Sequence, residues 1–141
     1  MDIRLMSIDD FDRVSALWQS TAGMGLNPVD DSREGIDRYL RRNPETCFIA
    51  EENGVLIGSI LSGHDGRRAY LYHMAVGETH RRRGVGETLL TRAMEALARE
   101  GVGKAALLVF ATNEKGNAFW EKHGFTARHD VLYRNKDINR L

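Results

Sequence analysis

Residues His80–Leu90 read HRRRGVGETLL: three consecutive arginines, two glycines one residue apart, then the first turns of an apolar-periodic segment. Val85, Leu89, Leu90, Ala93, Met94 and Leu97 fall on one side of the helix that this spacing predicts, and Gly101 is placed to end it. The arginines thus precede a helix N-terminus, where positive charge opposes the helix dipole. A helix start offers unpaired N–H groups and attracts anions. Gly84 and Gly86 let a ligand approach the backbone, and arginine carries a donor fork that matches phosphate oxygens. These are the ingredients of a pyrophosphate cradle, and they suit an exposed turn with solvated arginines equally well. Neither familiar nucleotide signature is present. There is no G-x-x-x-x-G-K-[ST], and Leu89 stands where G-x-G-x-x-G needs its third glycine.

Upstream of this loop, AYLYHMAV (Ala69–Val76) reads as a strand. Strict alternation puts Leu71, His73 and Ala75 on one face and Tyr70, Tyr72, Met74 and Val76 on the other. TCFIAEE and VLIGSILSG flank Asn53-Gly54, a two-residue hairpin signal. Earlier still, Ile3–Met6 reads as an opening strand. Ser7 and Asp10 resemble a capping box, with Ile8, Phe11, Val14, Leu17 and Trp18 then at helical spacing. After the turn-rich break TAGMGLNPVDD, a second helix spans Ser32 to about Arg42, burying Ile36, Tyr39 and Leu40, and Asn43-Pro44 ends it.

Downstream, the apolar run KAALLVF (Lys104–Phe110) suits a central strand covered on both faces. NEKGNAFWEKHGF reads as a short helix closed by Gly124. Phe125 enters a final strand, Val131–Arg134 forms a last hairpin strand, and NKDINRL is an exposed tail. The order of elements indicates one α+β domain over residues 1–141, a mixed central sheet flanked by helices.

Composition narrows the function classes. Lys+Arg and Asp+Glu each number 20, for a formal net charge of zero, which disfavours a strongly basic nucleic-acid binder. No apolar run is long enough to cross a bilayer, and the acidic start MDIRLMSIDD lacks a signal-peptide core, so a cytoplasmic protein is expected. The single cysteine, Cys47, has no internal disulfide partner and lies in an apolar run, as a packing residue does. His64, His80, His123 and His129 show no metal-ligand spacing, and no metal is expected.

Three motifs in order resemble the GNAT superfamily of acyl-CoA-dependent N-acetyltransferases, small bacterial members in particular. The family's [QR]-x-x-G-x-[GA] loop corresponds to Arg81-Arg82-Arg83-Gly84-Val85-Gly86, after a strand ending in Ala75-Val76. Its N-x-x-A-x-x-x-[YF]-x-x-x-G-F type segment corresponds to Asn113 through Trp120-Glu121-Lys122-His123-Gly124-Phe125. The stretch from Asn53-Gly54 into Leu56-Ile57-Gly58 resembles its g-x-x-v-G strand. The resemblance implies the GNAT fold, acetyl-CoA as cosubstrate and a primary amine as acceptor. Loop amides from Arg82 to Gly86, with Glu87 and Thr88, would bind the coenzyme pyrophosphate, and Arg81–Arg83 would offset phosphate charge.

Met74, Ala75 and Val76 would align the pantetheine arm like an added strand, splayed from Lys104–Phe110 so that the thioester lies in the gap. An N–H near Ala75 would then polarise the thioester carbonyl. Asn113 matches a pantetheine contact and equally suits an N-cap. Many relatives carry a tyrosine acid where this chain has Trp120, whose indole has no useful acidity. Trp120 then packs against the arm or belongs to the core. The proton source falls to Tyr70, Tyr72, Tyr133 or water, and the base to His73, Tyr72, Glu78 or a water chain, with Tyr72 and His73 the catalytic candidates. Acidic residues around Asp30–Glu34 suit either a cationic amine or a solvated loop. Dimerisation is common in the family and leaves no signature in the sequence. A non-catalytic acyl-CoA-binding module is the competing reading, kept open by Trp120.

Overall fold

The hairpin at Asn53-Gly54 organises the sheet. Both turn residues take positive φ (53° and 77°), as the tight turn requires, and join β2 (Phe48–Glu52) to β3 (Val55–His64). In the computed structural model, which describes residues 1–139, β1 (Asp2–Leu5) and β4 (Ala69–Val76) flank this hairpin, and β5 (Ala105–Leu107) completes the sheet. The order is β1-β2-β3-β4-β5, antiparallel except for the parallel pair β4–β5. The fold class is α+β as expected.

Helices cover both faces. On one, α1 (Phe11–Gln19) and α2 (Arg33–Arg42) bury Val14, Trp18, Ile36 and Leu40 against Cys47, Ile49, Leu61 and Ala75. On the other, α3 (Val85–Arg99) buries Val85, Leu89, Leu90, Ala93, Ala96 and Leu97. Met94, expected on that apolar side, is exposed, and Ala96 takes its place. The chain divides into two compact units, Met1–Leu107 and Leu108–Leu141. In the second, α4 (Glu114–Lys122) is capped by Asn113, whose Oδ1 accepts the Gly116 N–H at 2.9 Å. No helix among the described residues is long and apolar enough to cross a membrane.

Two strand expectations are corrected. The run Lys104–Phe110 yields only Ala105–Leu107, a half-exposed edge strand rather than a central one. Apolar composition reports a tendency to bury, not the number of neighbours a strand will find. Neither the strand at Phe125 nor Val131–Arg134 forms among the described residues. Arg128 forks onto Asp130 at 2.7 Å and the backbone bends there, leaving Val131, Leu132 and Tyr133 exposed. Residues 135–139 of the expected tail are exposed, and Arg140 and Leu141 lie outside the described residues.

The capping box forms as read: Asp10 accepts the Ser7 N–H at 2.9 Å. The same buried carboxylate accepts from Arg4 (2.7 and 3.0 Å) and Arg13 (3.0 Å), and both arginines also reach Glu51 on β2. Burial pushes the Asp10 carboxyl up, but the Arg4, Ser7 and Arg13 hydrogen bonds together outweigh it and hold it below its ordinary value. A depressed carboxyl stabilises the fold above its unfolded pKa of about 3.9, and that contribution is lost as pH falls. Asp10→Ala is expected to lower unfolding free energy at pH 7 by about 2–3 kcal/mol, with the gap to wild type closing below about pH 4. Urea denaturation at the two pH values checks it.

Candidate active site

Strand β4 carries one residue more than its partner can match. Ser59 pairs with Ala75 but Leu61 with Tyr72, and the extra residue is accommodated where His73 takes φ +48°. A left-handed histidine costs on the order of 1 kcal/mol or more, so its surroundings must enforce it. They do so from three sides. The buried Trp18 donates Nε1–H to Ser59 Oγ at 2.9 Å, and Ser59 Oγ donates to the His73 carbonyl at 2.9 Å. The Trp18 ring meets the His73 ring edge-on at 4.7 Å. His73 Nε2 lies 2.6 Å from Asp31 Oδ1, and Asp31 Oδ2 accepts the Asn27 N–H at 2.7 Å.

The bulge overturns the strict alternation expected of Ala69–Val76. Cross-strand partners share a face, so Tyr72 (opposite Leu61) and Ala75 (opposite Ser59) both face α1 and α2. Tyr72 and His73, expected on opposite faces, line one cavity of about 410 Å³ in the first unit, with Leu61 beneath. Its walls come from α2 and from the loop before it, which contributes Asp30 and Asp31. Of the acidic stretch at 30–34, Asp31 is committed to His73, whereas Glu34 is exposed and not part of the cavity wall.

Beyond the bulge, β4 has an open edge. Its pairing with β5 ends at Leu71↔Leu107, so Met74, Ala75 and Val76 have no strand partner on that side among the described residues. The Gly77 N–H donates to the Ile57 carbonyl at 2.8 Å. Alternation therefore turns the N–H and C=O of Val76 outward, and Arg81 Nε donates to that carbonyl at 3.1 Å. A short turn at Glu78–His80 then leads into the loop, where Arg82 (φ 63°) and Gly84 (φ 79°) are left-handed.

No side chain caps the start of α3, whereas Ser32 caps α2 through the Gly35 N–H at 3.0 Å. The amides of Gly84, Val85, Gly86 and Glu87 are the helix-start donors. Thr88 is not among them. Its N–H (3.0 Å) and its hydroxyl (2.8 Å) both go to the Gly84 carbonyl. Arg83 is also engaged, forking onto Glu52 at 2.8 and 3.0 Å and holding that carboxyl below its ordinary value. Of the three arginines, Arg82 alone has no partner among the described residues.

Asn113 and Trp120 belong to the second unit. There the Trp120 ring packs edge-on against Phe119 (5.0 Å) and Phe125 (5.2 Å). Glu78 is exposed in its turn, and Tyr133 is exposed in irregular chain. Cys47 is buried, its thiol pushed up to about 12 by desolvation, and it touches the Ser62 carbonyl, as an inert packing residue does. The described residues hold no group of three or more metal-ligating side chains. Sequence reasoning missed Trp18 and Ser59 as parts of the site, and the pairing of Asp31 with His73. The available signal was a serine amid the apolar run VLIGSILSG, since a buried indole N–H needs an acceptor.

Comparison with known proteins gives this arrangement its class. Residues 11–125 match the model of the Acetyltransferase (GNAT) family. The chain belongs to that family and is an acetyltransferase. It is 32% identical to an acetyltransferase of Sodalis glossinidius over 98% of this chain and 96% of the relative. Among solved structures it is similar to the PaiA N-acetyltransferase of Thermoplasma acidophilum in complex with coenzyme A. That match has a TM-score of 0.77 and 22% identity, covering 90% of each chain. It is also similar to the diaminobutyrate acetyltransferase EctA of Paenibacillus lautus, solved with its substrate and coenzyme A. There the TM-score is 0.73 and the identity 25%, over 86% of this chain and 73% of that one.

The seat of the loop rests on Gly58. A Cβ there would stand 3.0 Å from Leu89 Cδ1, 3.1 Å from Val85 Cγ1 and 3.2 Å from the Ala75 carbonyl oxygen, so α3 sets its first turn directly on β3. Gly58→Val is expected to cost about 1–3 kcal/mol through overpacking. It should also speed hydrogen exchange at the Thr88 amide, whose bond to the Gly84 carbonyl closes the first turn of α3; thermal melts and exchange mass spectrometry measure the two effects together.

Proposed function

We propose that the whole chain acts as one domain that transfers the acetyl group of acetyl-CoA to a primary amine by direct attack in a ternary complex. The observation that carries the reading is the bulge at His73. It gathers Tyr72 and the His73–Asp31 pair into one cavity, while the next three residues of the same strand leave an edge open. The family match over residues 11–125 spans the boundary between the two compact units and supports treating them as one functional domain.

The donor set fits acetyl-CoA. The open edge at Met74–Val76 offers the Val76 amide to the pantetheine arm. The uncapped amides of Gly84 to Glu87, with Arg82, offer hydrogen bonds and charge to the diphosphate. Arg81 and Arg83 act by fixing the loop to Val76 and Glu52. The bound thioester supplies the carbonyl carbon to which the amine nitrogen bonds as the C–S bond breaks and the thiolate leaves.

The acceptor must be a neutral amine, although an alkylamine with a pKa of about 10.4 is mostly protonated at pH 7. The Asp31 carboxylate only accepts, so Nε2 of His73 carries the hydrogen of their bond, which leaves Nδ1 as the ring atom that can take up a proton. His73 takes the amine proton there, and Asp31 positions it. Tyr72 supplies the proton to the leaving group. A thiolate leaving group with an ordinary thiol pKa of about 8.5 makes this assistance modest. A lone buried cysteine and the lack of any membrane-crossing helix among the described residues accord with work in the cytoplasm.

Thiol release on mixing the protein, acetyl-CoA and an amine panel tests the reading. His73→Gln is expected to lower kcat about 100-fold, with the KM for acetyl-CoA within about twofold of wild type. Asp31→Asn should follow it in kcat. Full turnover by His73→Gln would remove the base from that position, and no thiol release with any amine would remove the reaction.

A further inference from the structure

The arginines of α2 divide into two kinds. Those turned from the cavity have partners: Arg41 pairs with Asp37 at 3.0 Å, and Arg33 reaches Asp12 at 3.2 Å and lies 5.2 Å from the Phe11 ring centroid. Arg38 and Arg42, which line the cavity beside Tyr72 and His73, have neither an acidic partner nor an acceptor among the described residues. Four residues apart, they present two guanidinium groups one helical turn apart on the same wall. Asp30, on the loop before α2, is an exposed carboxylate whose side chain is likewise without a partner among the described residues. Asp31 is held by His73 and by the Asn27 amide. The wall thus carries two guanidinium groups and one carboxylate without partners, a net positive charge, in a space sized for a small molecule.

We infer that the acceptor is a small amine that also carries an anionic group, a carboxylate or a phosphate, seated on Arg38 and Arg42 while its nitrogen meets His73. A purely cationic amine can use only Asp30 and meets two repelling charges on the same wall. An amine with an attached anion finds forked donors that match its oxygens, with Asp30 in the same cavity for the ammonium before deprotonation. Selection works by repulsion of the wrong class as well as attraction of the right one. The inference rests on the transfer reading above and adds the chemistry of the acceptor to it.

The test measures thiol release from acetyl-CoA with matched acceptors: free amino acids, their carboxamides, the corresponding decarboxylated amines, and phosphorylated amino alcohols. Anionic members are expected to show kcat/KM at least about tenfold above their neutral or cationic counterparts. The better of the carboxylate and phosphate series identifies the anion. In Arg38→Gln/Arg42→Gln the ratio of amino acid to carboxamide should fall to about one. In Arg41→Gln, whose arginine pairs with Asp37 outside the cavity, the ratio should stay at the wild-type value. Thermal melts of each variant keep folding defects separate. Equal or better use of carboxamides and decarboxylated amines by wild type would overturn the inference while leaving the transfer reading standing. An undiminished ratio in the double variant would also overturn it. Acetyl-CoA binding without thiol release from any series would overturn both.

Discussion

A buried indole N–H in search of an acceptor sets the geometry on which the rest of this protein depends. Trp18 cannot sit in the core with its N–H unpaired without a penalty of about 1–3 kcal/mol, and Ser59 meets that need from the middle of an otherwise apolar strand. The same hydroxyl then donates to the His73 carbonyl, which the bulge has withdrawn from regular pairing. Asp31 takes the other end of His73, and its second oxygen is fixed by the Asn27 amide. A left-handed histidine is unfavourable alone, but here each of its polar ends is tied to a group that is itself held. The consequence is topological. One inserted residue turns Tyr72 and His73 toward the same cavity, and beyond it β4 stays paired with β3 but no longer with β5.

The positive charge packed before α3 has a physical resolution in the same region. Three arginines at a helix start would oppose the dipole if all were free. Glu52, at the end of the β2–β3 hairpin, neutralises Arg83, and Arg81 satisfies the outward carbonyl of Val76. Both bonds also fasten the loop to the sheet. Four amides at the start of α3 and the charges of Arg82 and of Arg81, whose acceptor is a neutral carbonyl, are left over. Much of the arginine run thus fastens the loop, and in the proposed reading the diphosphate meets mainly backbone amides.

Much of the fold was legible because it rests on local rules. Asn53-Gly54 admits few conformations other than a tight turn, Ser7 and Asp10 close a capping box, and the 3.6-residue spacing after Gly84 fixes α3. The loop RRRGVG was legible as a turn into a helix because its glycines and the apolar spacing after them are local signals. What escaped was whatever depends on partners distant in sequence. The alternation of AYLYHMAV gives no hint that Ser59 and Trp18 insert a bulge at His73, and nothing near Asp31 announces a histidine 42 residues away. Lys104–Phe110 failed as a central strand for the same reason. Apolar content does not say which strand ends at an edge.

If the bulge prepares β4 to receive an acyl carrier, the outward amide of Val76 and the helix-start amides of Gly84 to Glu87 must be the groups that change when that carrier binds. Amide hydrogen exchange with and without acetyl-CoA measures this directly. Slowed exchange at both segments, with the β2–β3 hairpin unchanged, is the predicted result. Exchange at Val76 and the loop that is indifferent to acetyl-CoA, with protection arising elsewhere on the chain, would contradict it.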